Sequence, residues 1–240
     1  MKPEINKLKV KIFADGADLN EIIEMNNNSL IQGLTTNPTL MRKAGIKNYK
    51  KFAQEVLTFV KSKPISFEVF SDDVKEMEKQ ALEIASWGEN VYIKIPVTNT
   101  KGVPVQDLVK KLVKEKVKVN VTAVMTTEQV RWISNCLDAN VPNYVSIFAG
   151  RIADTGRDPI RIMQESIEIL KSIDSSELIW ASPRELLNIF QASEIGCHII
   201  TATTDILRKL SLVGFDLDQY SLETVKMFYK DASESNFSID

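Results

Sequence analysis

Val91-Tyr92-Ile93-Lys94-Ile95-Pro96-Val97 is the stretch on which the fold turns. A strand with one wet face alternates apolar and polar residues, whereas a nearly continuous apolar run marks a parallel strand covered on both sides. Working outward from it, similar short runs rich in β-branched residues stand at Leu8–Ala14, Ile31–Thr35, Ile65–Phe70, Val117–Val124, Tyr144–Ala149, Leu178–Ala181 and Cys197–Thr201. With Val91–Val97 they make eight, spaced by roughly 20–35 residues, the repeat of one strand and one helix.

The segments between the runs have helical period. Val74, Met77, Ala81 and Ile84 share one face, as do Val105, Leu108 and Leu112, and then Val130, Ile133 and Leu137. Helix starts are expected at Thr127 before Glu128, at Asp158 before Pro159, and at Ser182-Pro183-Arg184-Glu185, which reads as an N-cap, an N1 proline and a capping-box Glu. No Pro/Gly/Ser-rich linker divides the chain. Eight β-then-α units in 240 residues match a (β/α)8 TIM barrel, which takes about 250. The expected fold is therefore α/β, a single barrel domain over 1–240, and the count of eight favours it over a doubly wound open sheet. A C-terminal helical arm is expected at about 221–232, with Val225 and Phe228 at helical spacing beside Met227 and Tyr229. Such an arm packs on a neighbour, closes over the site, or covers its own barrel. The polar tail Asp231–Asp240 is expected to fray.

Charge and composition narrow the function classes. Thirty Lys plus Arg against 32 Asp plus Glu leave a net charge of −2, without the clustered basic excess that nucleic acid requires. Cys136, Cys197 and His198 are too few for a conventional zinc set. The N-terminal MKPEINKLKVKIFADG has no signal-peptide apolar stretch, and no 18-residue apolar run occurs. A cytoplasmic protein without membrane or nucleic-acid partners is expected. Gly16, Gly33 and Gly102 are isolated, so a glycine-rich nucleotide loop has little support.

In a parallel barrel the chemistry sits where strands end, so charged residues inside or just after the apolar runs are informative. Lys94 and Glu68 interrupt their runs, Asp15 ends the first, and Arg151 follows the sixth. An ammonium between two isoleucines is costly unless paired, and burial favours a neutral amine, a nucleophile toward carbonyls. Lys94 is equally readable as one half of a structural ion pair with Glu68. Asp15 alone reads as a helix cap. Asn37 and Asn120 pass for turn or ladder residues, and Ser182 and Arg184 for a cap and a surface charge. The functional alternative at the last pair is a phosphate held by backbone N–H groups with Arg184 and Arg151.

Taken together, FADGAD (13–18), GLTTNPTL (33–40), FEVF (67–70), YIKIP (92–96), NVTAVM (120–125), SIFAGRI (146–152) and ASPRE (181–185) resemble, in order and over nearly the whole chain, the transaldolases, especially the short-chain branch that includes fructose 6-phosphate aldolases. The resemblance implies a barrel of the class I, Schiff-base aldolase type that needs no metal or diffusible cofactor. Lys94 matches the Schiff-base lysine and Asp15 the acid/base carboxylate. Glu68 and Thr122 match the pair that orients a water for proton transfer. Asn37, Asn120 and Ser146 match groups that hold the hydroxyls of a dihydroxyacetone unit, and Arg151, Ser182 and Arg184 match the sugar-phosphate site. Phe148 and Glu68 stand where the family tends to have Phe and Glu in transaldolases but Tyr and often Gln in the aldolases, so both favour transfer over cleavage. The implied activity is transaldolase, in the pentose phosphate pathway, on sugar phosphate substrates. An aldolase releasing free dihydroxyacetone and a non-catalytic sugar-phosphate binding barrel are the alternatives. Relatives of this short form are homo-oligomers, often pentamers or decamers, which the resemblance carries over as an expectation.

Overall fold

A computed structural model describes residues 4–235 and 237–239. Eight strands form a closed barrel: β1 (Lys11–Asp15), β2 (Ile31–Thr35), β3 (Ile65–Glu68), β4 (Val91–Pro96), β5 (Val119–Val124), β6 (Asn143–Ile147), β7 (Ser176–Trp180) and β8 (Ile199–Thr203). Each pairs in parallel with the next, and β8 closes on β1. The fold is thus the expected (β/α)8 barrel rather than an open sheet. β4 is buried along Val91–Ile95, and β6 along its whole length, as their unbroken apolar character requires.

The helices are α1 (Leu19–Asn27), α2 (Pro38–Lys43), α3 (Tyr49–Phe59), α4 (Val74–Ala85), α5 (Gln106–Lys114), α6 (Thr127–Ser134), α7 (Ala149–Ala153), α8 (Ile160–Leu170), α9 (Leu187–Glu194), α10 (Thr204–Arg208) and α11 (Leu217–Glu234). Met77, Ala81 and Ile84 of α4 and Leu108 and Leu112 of α5 turn inward, on the faces that their period predicts. Helix entry is marked by side chains that accept backbone N–H groups: Asp18 for α1, Asn48 for α3, Asp73 for α4, and Thr126 with Gln129 in a capping box for α6. None of the described helices is long and apolar enough to cross a membrane.

Several sequence expectations are corrected. β1 begins at Lys11 rather than Leu8. Thr126, not Thr127, caps α6. Asp18, not Asp15, caps α1, which releases Asp15 to face the barrel. No helix starts at Ser182: its backbone is left-handed at φ 58°, and α9 begins only at Leu187. The side chain of Asn188 instead accepts the N–H groups of Arg184 and Glu185. The C-terminal helix starts earlier than 221 and runs to Glu234, into the stretch expected to fray, while positions 236 and 240 of that tail lie outside the described residues. None of its residues is buried.

Inside the barrel, below the strand ends, aromatic side chains form a floor. The rings of Tyr92 and Tyr144 stack at 4.1 Å and 12°, and Phe13 meets Tyr144 edge-on at 5.9 Å. Ile179 and Ile199 pack against them. A Cβ at Gly33 would collide with the Phe13 ring, so glycine there lets the ring lie across β2. Strand periodicity of two places Asp15, Thr35, Lys94, Ser146, Ala181 and Thr201 directly above these floor residues on the same strands.

Candidate active site

A cavity of about 580 Å³ opens at the C-terminal ends of the strands, where barrels of this architecture do their chemistry. Asp15, Asn37, Glu68, Lys94, Thr122 and Ser146 line it, with Phe148, Arg151, Ser182 and Arg184 on the β6–β7 side. Asn120 is the exception among the residues singled out from sequence. It is fully buried on β5, in register with Lys94, where its side chain accepts from the Ser146 hydroxyl at 2.7 Å and donates to Ser66 at 3.0 Å.

Lys94 enters from the middle of β4 and is only 5% exposed. Its ammonium lies 3.3 Å from Glu68 Oε2, the neighbour fixed by the Glu68–Lys94 register of β3 and β4. It also donates to the Thr36 carbonyl at 3.0 Å. The ion pair weighed from sequence is therefore present, and it lies inside the cavity. Burial pushes the Glu68 carboxyl above its usual range, against the pull of Lys94 and with the help of the Asp15 charge. Tyr49 of α3 holds the backbone of Glu68, donating to its carbonyl at 2.8 Å.

Asp15, at the end of β1, is likewise pushed up by burial, against the opposing effects of Lys94, Thr35 and Asn37. Thr35 donates to its Oδ1 at 2.8 Å and Asn37 to its Oδ2 at 3.2 Å. Asn37 serves two ends at once, because its Oδ1 caps α2 by accepting from Leu40. Two carboxyl groups held above their ordinary range by burial, beside an amine, are candidates for proton transfer. Thr122 follows from a distortion of β5. The β5–β6 register slips between Val121 and Val124, Ala123 is left-handed at φ 60°, and the buried Thr122 hydroxyl has no protein partner. An unpartnered buried hydroxyl facing a polar cavity is a ready hydrogen-bonding group for a water or substrate.

On the far side, Arg151 lies 5.7 Å over the Phe148 ring. Arg184 donates Nε to Asp154 Oδ1 at 3.0 Å and its Nη2 to the other carboxylate oxygen. The Ser182 carbonyl abuts Gly150 so closely that a Cβ there would overlap it. Asp154, Ser66, Thr35 and Thr201 were not singled out from sequence. Thr35 lies inside the quoted GLTTNPTL, and Thr201 is a hydroxyl in an apolar run, which is the signal that could have found both.

The fold and this cavity together define a (β/α)8 barrel equipped for acid–base chemistry around a buried lysine. The family model described as Transaldolase/Fructose-6-phosphate aldolase matches residues 12–239. A probable transaldolase of Thermoanaerobacter sp. (strain X514) is 34% identical over 224 residues, covering 93% of this chain and 98% of that protein. A probable transaldolase of Clostridium kluyveri is 36% identical over 199 residues, covering 82% and 88%. One of Methanococcus vannielii is 33% identical over 215 residues, covering 88% and 95%. The chain belongs to the transaldolase/fructose-6-phosphate aldolase family.

Proposed function

We propose that the protein is a transaldolase that moves a dihydroxyacetone unit from a ketose phosphate, fructose 6-phosphate or sedoheptulose 7-phosphate, to an aldose phosphate through a Schiff base on Lys94. The observation that carries this reading is the buried Lys94 amine beside Glu68, with Asp15 acting on the same pair electrostatically. Glu68 receives the Lys94 proton, and the neutral amine attacks the C2 ketone. Loss of water gives an iminium. Asp15 takes the C4 hydroxyl proton, the C3–C4 bond breaks, and its electrons flow into the iminium to leave an enamine on Lys94 and a free aldehyde. Addition of a second aldehyde reverses these steps, and water then frees the new ketose phosphate and the amine. Thr122 and Glu68 hold the water used in these transfers. Ser146, backed by Asn120, and Asn37 hold the hydroxyls of the three-carbon unit. Arg151, Ser182 and Arg184 take the phosphate. Phe148 offers no hydroxyl to assist early release of the enamine, which favours transfer over cleavage.

The same reading carries a cytoplasmic enzyme of the pentose phosphate pathway, without a cofactor, working as a homo-oligomer, a pentamer or decamer. The test is glyceraldehyde 3-phosphate release from fructose 6-phosphate with and without erythrose 4-phosphate. Sustained release only with the acceptor is expected. Equal release without it would make the protein an aldolase, and silence in both would leave a binding barrel. Lys94→Met replaces the amine by an unbranched apolar chain of similar length, so it should fold yet lose turnover and borohydride-trappable adduct. Normal turnover in that variant would end the Schiff-base reading.

A further inference from the structure

Thr35 and Thr201 face each other across the β1 strand from β2 and β8, with their hydroxyl oxygens 2.6 Å apart and both side chains buried. Each hydroxyl has a single hydrogen. The hydrogen of Thr35 is committed to Asp15 Oδ1 at 2.8 Å, so the one between the threonines must come from Thr201. The chain therefore has a direction while Asp15 is ionised: Thr201 donates to Thr35, and Thr35 to the carboxylate. Each link polarises the next, and an oxygen that accepts a hydrogen bond is a stronger donor through its own hydrogen. It also gives the Thr35 hydroxyl a second anchor beside its bond to Asp15.

We infer that Thr201 is a positioning residue for the acid/base carboxylate, acting on Asp15 through Thr35 to hold one carboxylate oxygen in place and favour its ionised state. The inference rests on the acid/base role proposed above for Asp15. Thr201 forms the third side of a cage whose other members are Asn37 on Oδ2 and the charges of Lys94 on β4 and Glu68 on β3. Glu21 of α1, Asp205 of α10, Arg151 of α7 and Arg184 are the further charged groups that share cavities with Asp15. At Oδ1 the short bond is that of Thr35, 2.8 Å against 3.5 Å for the Asn37 amide.

The test is Thr201→Val, which keeps the shape and removes the hydroxyl, alongside Thr201→Ser, which keeps the hydroxyl. Initial rates of transfer from fructose 6-phosphate to erythrose 4-phosphate are measured across pH, with the fold followed by far-UV circular dichroism. For Thr201→Val, kcat should fall roughly five-fold, the scale of one ordinary hydrogen bond, with KM little changed. Its acid limb should move to higher pH by about half a unit, because the carboxylate has lost support. Thr201→Ser should recover both. An unmoved acid limb, or a loss that serine does not recover, would overturn the inference and leave Thr201 a packing residue. Should the valine variant fail to fold, Thr201→Ala carries the same expectation. Asp15→Asn separates the two levels: retained activity there removes the acid/base role itself, whereas its loss beside an unmoved limb in Thr201→Val removes only Thr201.

Discussion

Asp15 and Glu68 are carboxyl groups that the fold holds where water would ionise them more readily. A carboxyl raised in the folded state binds its proton more tightly there than in the unfolded chain, so its contribution to stability is present at low pH and is lost as pH rises through the folded value. Asp15→Asn removes that loss. Its melting temperature should exceed that of the native protein at about pH 7, and the gain should shrink as pH falls toward the ordinary carboxylate range. Each kcal/mol recovered is worth about 2–4 °C in a chain this long. A melting curve at both pH values checks it, and a destabilised variant at neutral pH would show that the Asn37 and Thr35 bonds outweigh the burial. Arg184 poses the opposite case, an exposed cation whose guanidinium fork is already aimed by Asp154. Arg184→Ala should weaken phosphorylated donors by about 1.5–3 kcal/mol, the scale of a lost charge-assisted hydrogen bond. An unchanged KM would move the phosphate site elsewhere.

The segment from Ala181 to Leu186 shows what an element owes to its neighbours. Ser182-Pro183-Arg184-Glu185 has the residues of a helix start, yet the chain bends through a left-handed serine before α9 begins. Its cause is tertiary: Gly150, in the first turn of α7, leaves a notch that the Ser182 carbonyl fills. Local capping propensity, worth about 1 kcal/mol, yields to such packing. Gly150→Ala should push this loop away, raise KM for phosphorylated substrates and cost about 1–3 kcal/mol, the usual penalty of overpacking. A steady-state assay with a chemical melt would show whether the two effects travel together. The strands were far more legible than this loop, because apolar runs such as Val91–Val97 carry their own signature. Lys94, Glu68 and Asp15 stood out because charge is anomalous there. Thr35, Thr201 and Ser66 did not, since hydroxyl residues are ordinary strand formers and only the closed ring of strands brings them to the carboxylate and to Asn120.

At the scale of the whole molecule, α11 stands apart. Leu217, Leu222, Val225, Phe228 and Tyr229 are all exposed on it, an apolar surface of a kind that single soluble chains seldom leave uncovered. Light scattering should therefore give a mass that is a multiple of the 27.1 kDa chain, and removal of residues after Asp216 should lower that multiple while the barrel still melts cooperatively. A native monomer would return α11 to the role of a free appendage. The aromatic floor has a different reach. Since Phe13, Tyr92 and Tyr144 plug the interior beneath Lys94, the mouth of the barrel serves as both entrance and exit. In the proposed transfer, two aldehydes that must use one doorway would take turns. The departing fragment has to clear the threshold before its successor comes in, and each, when abundant, stands in the other's way.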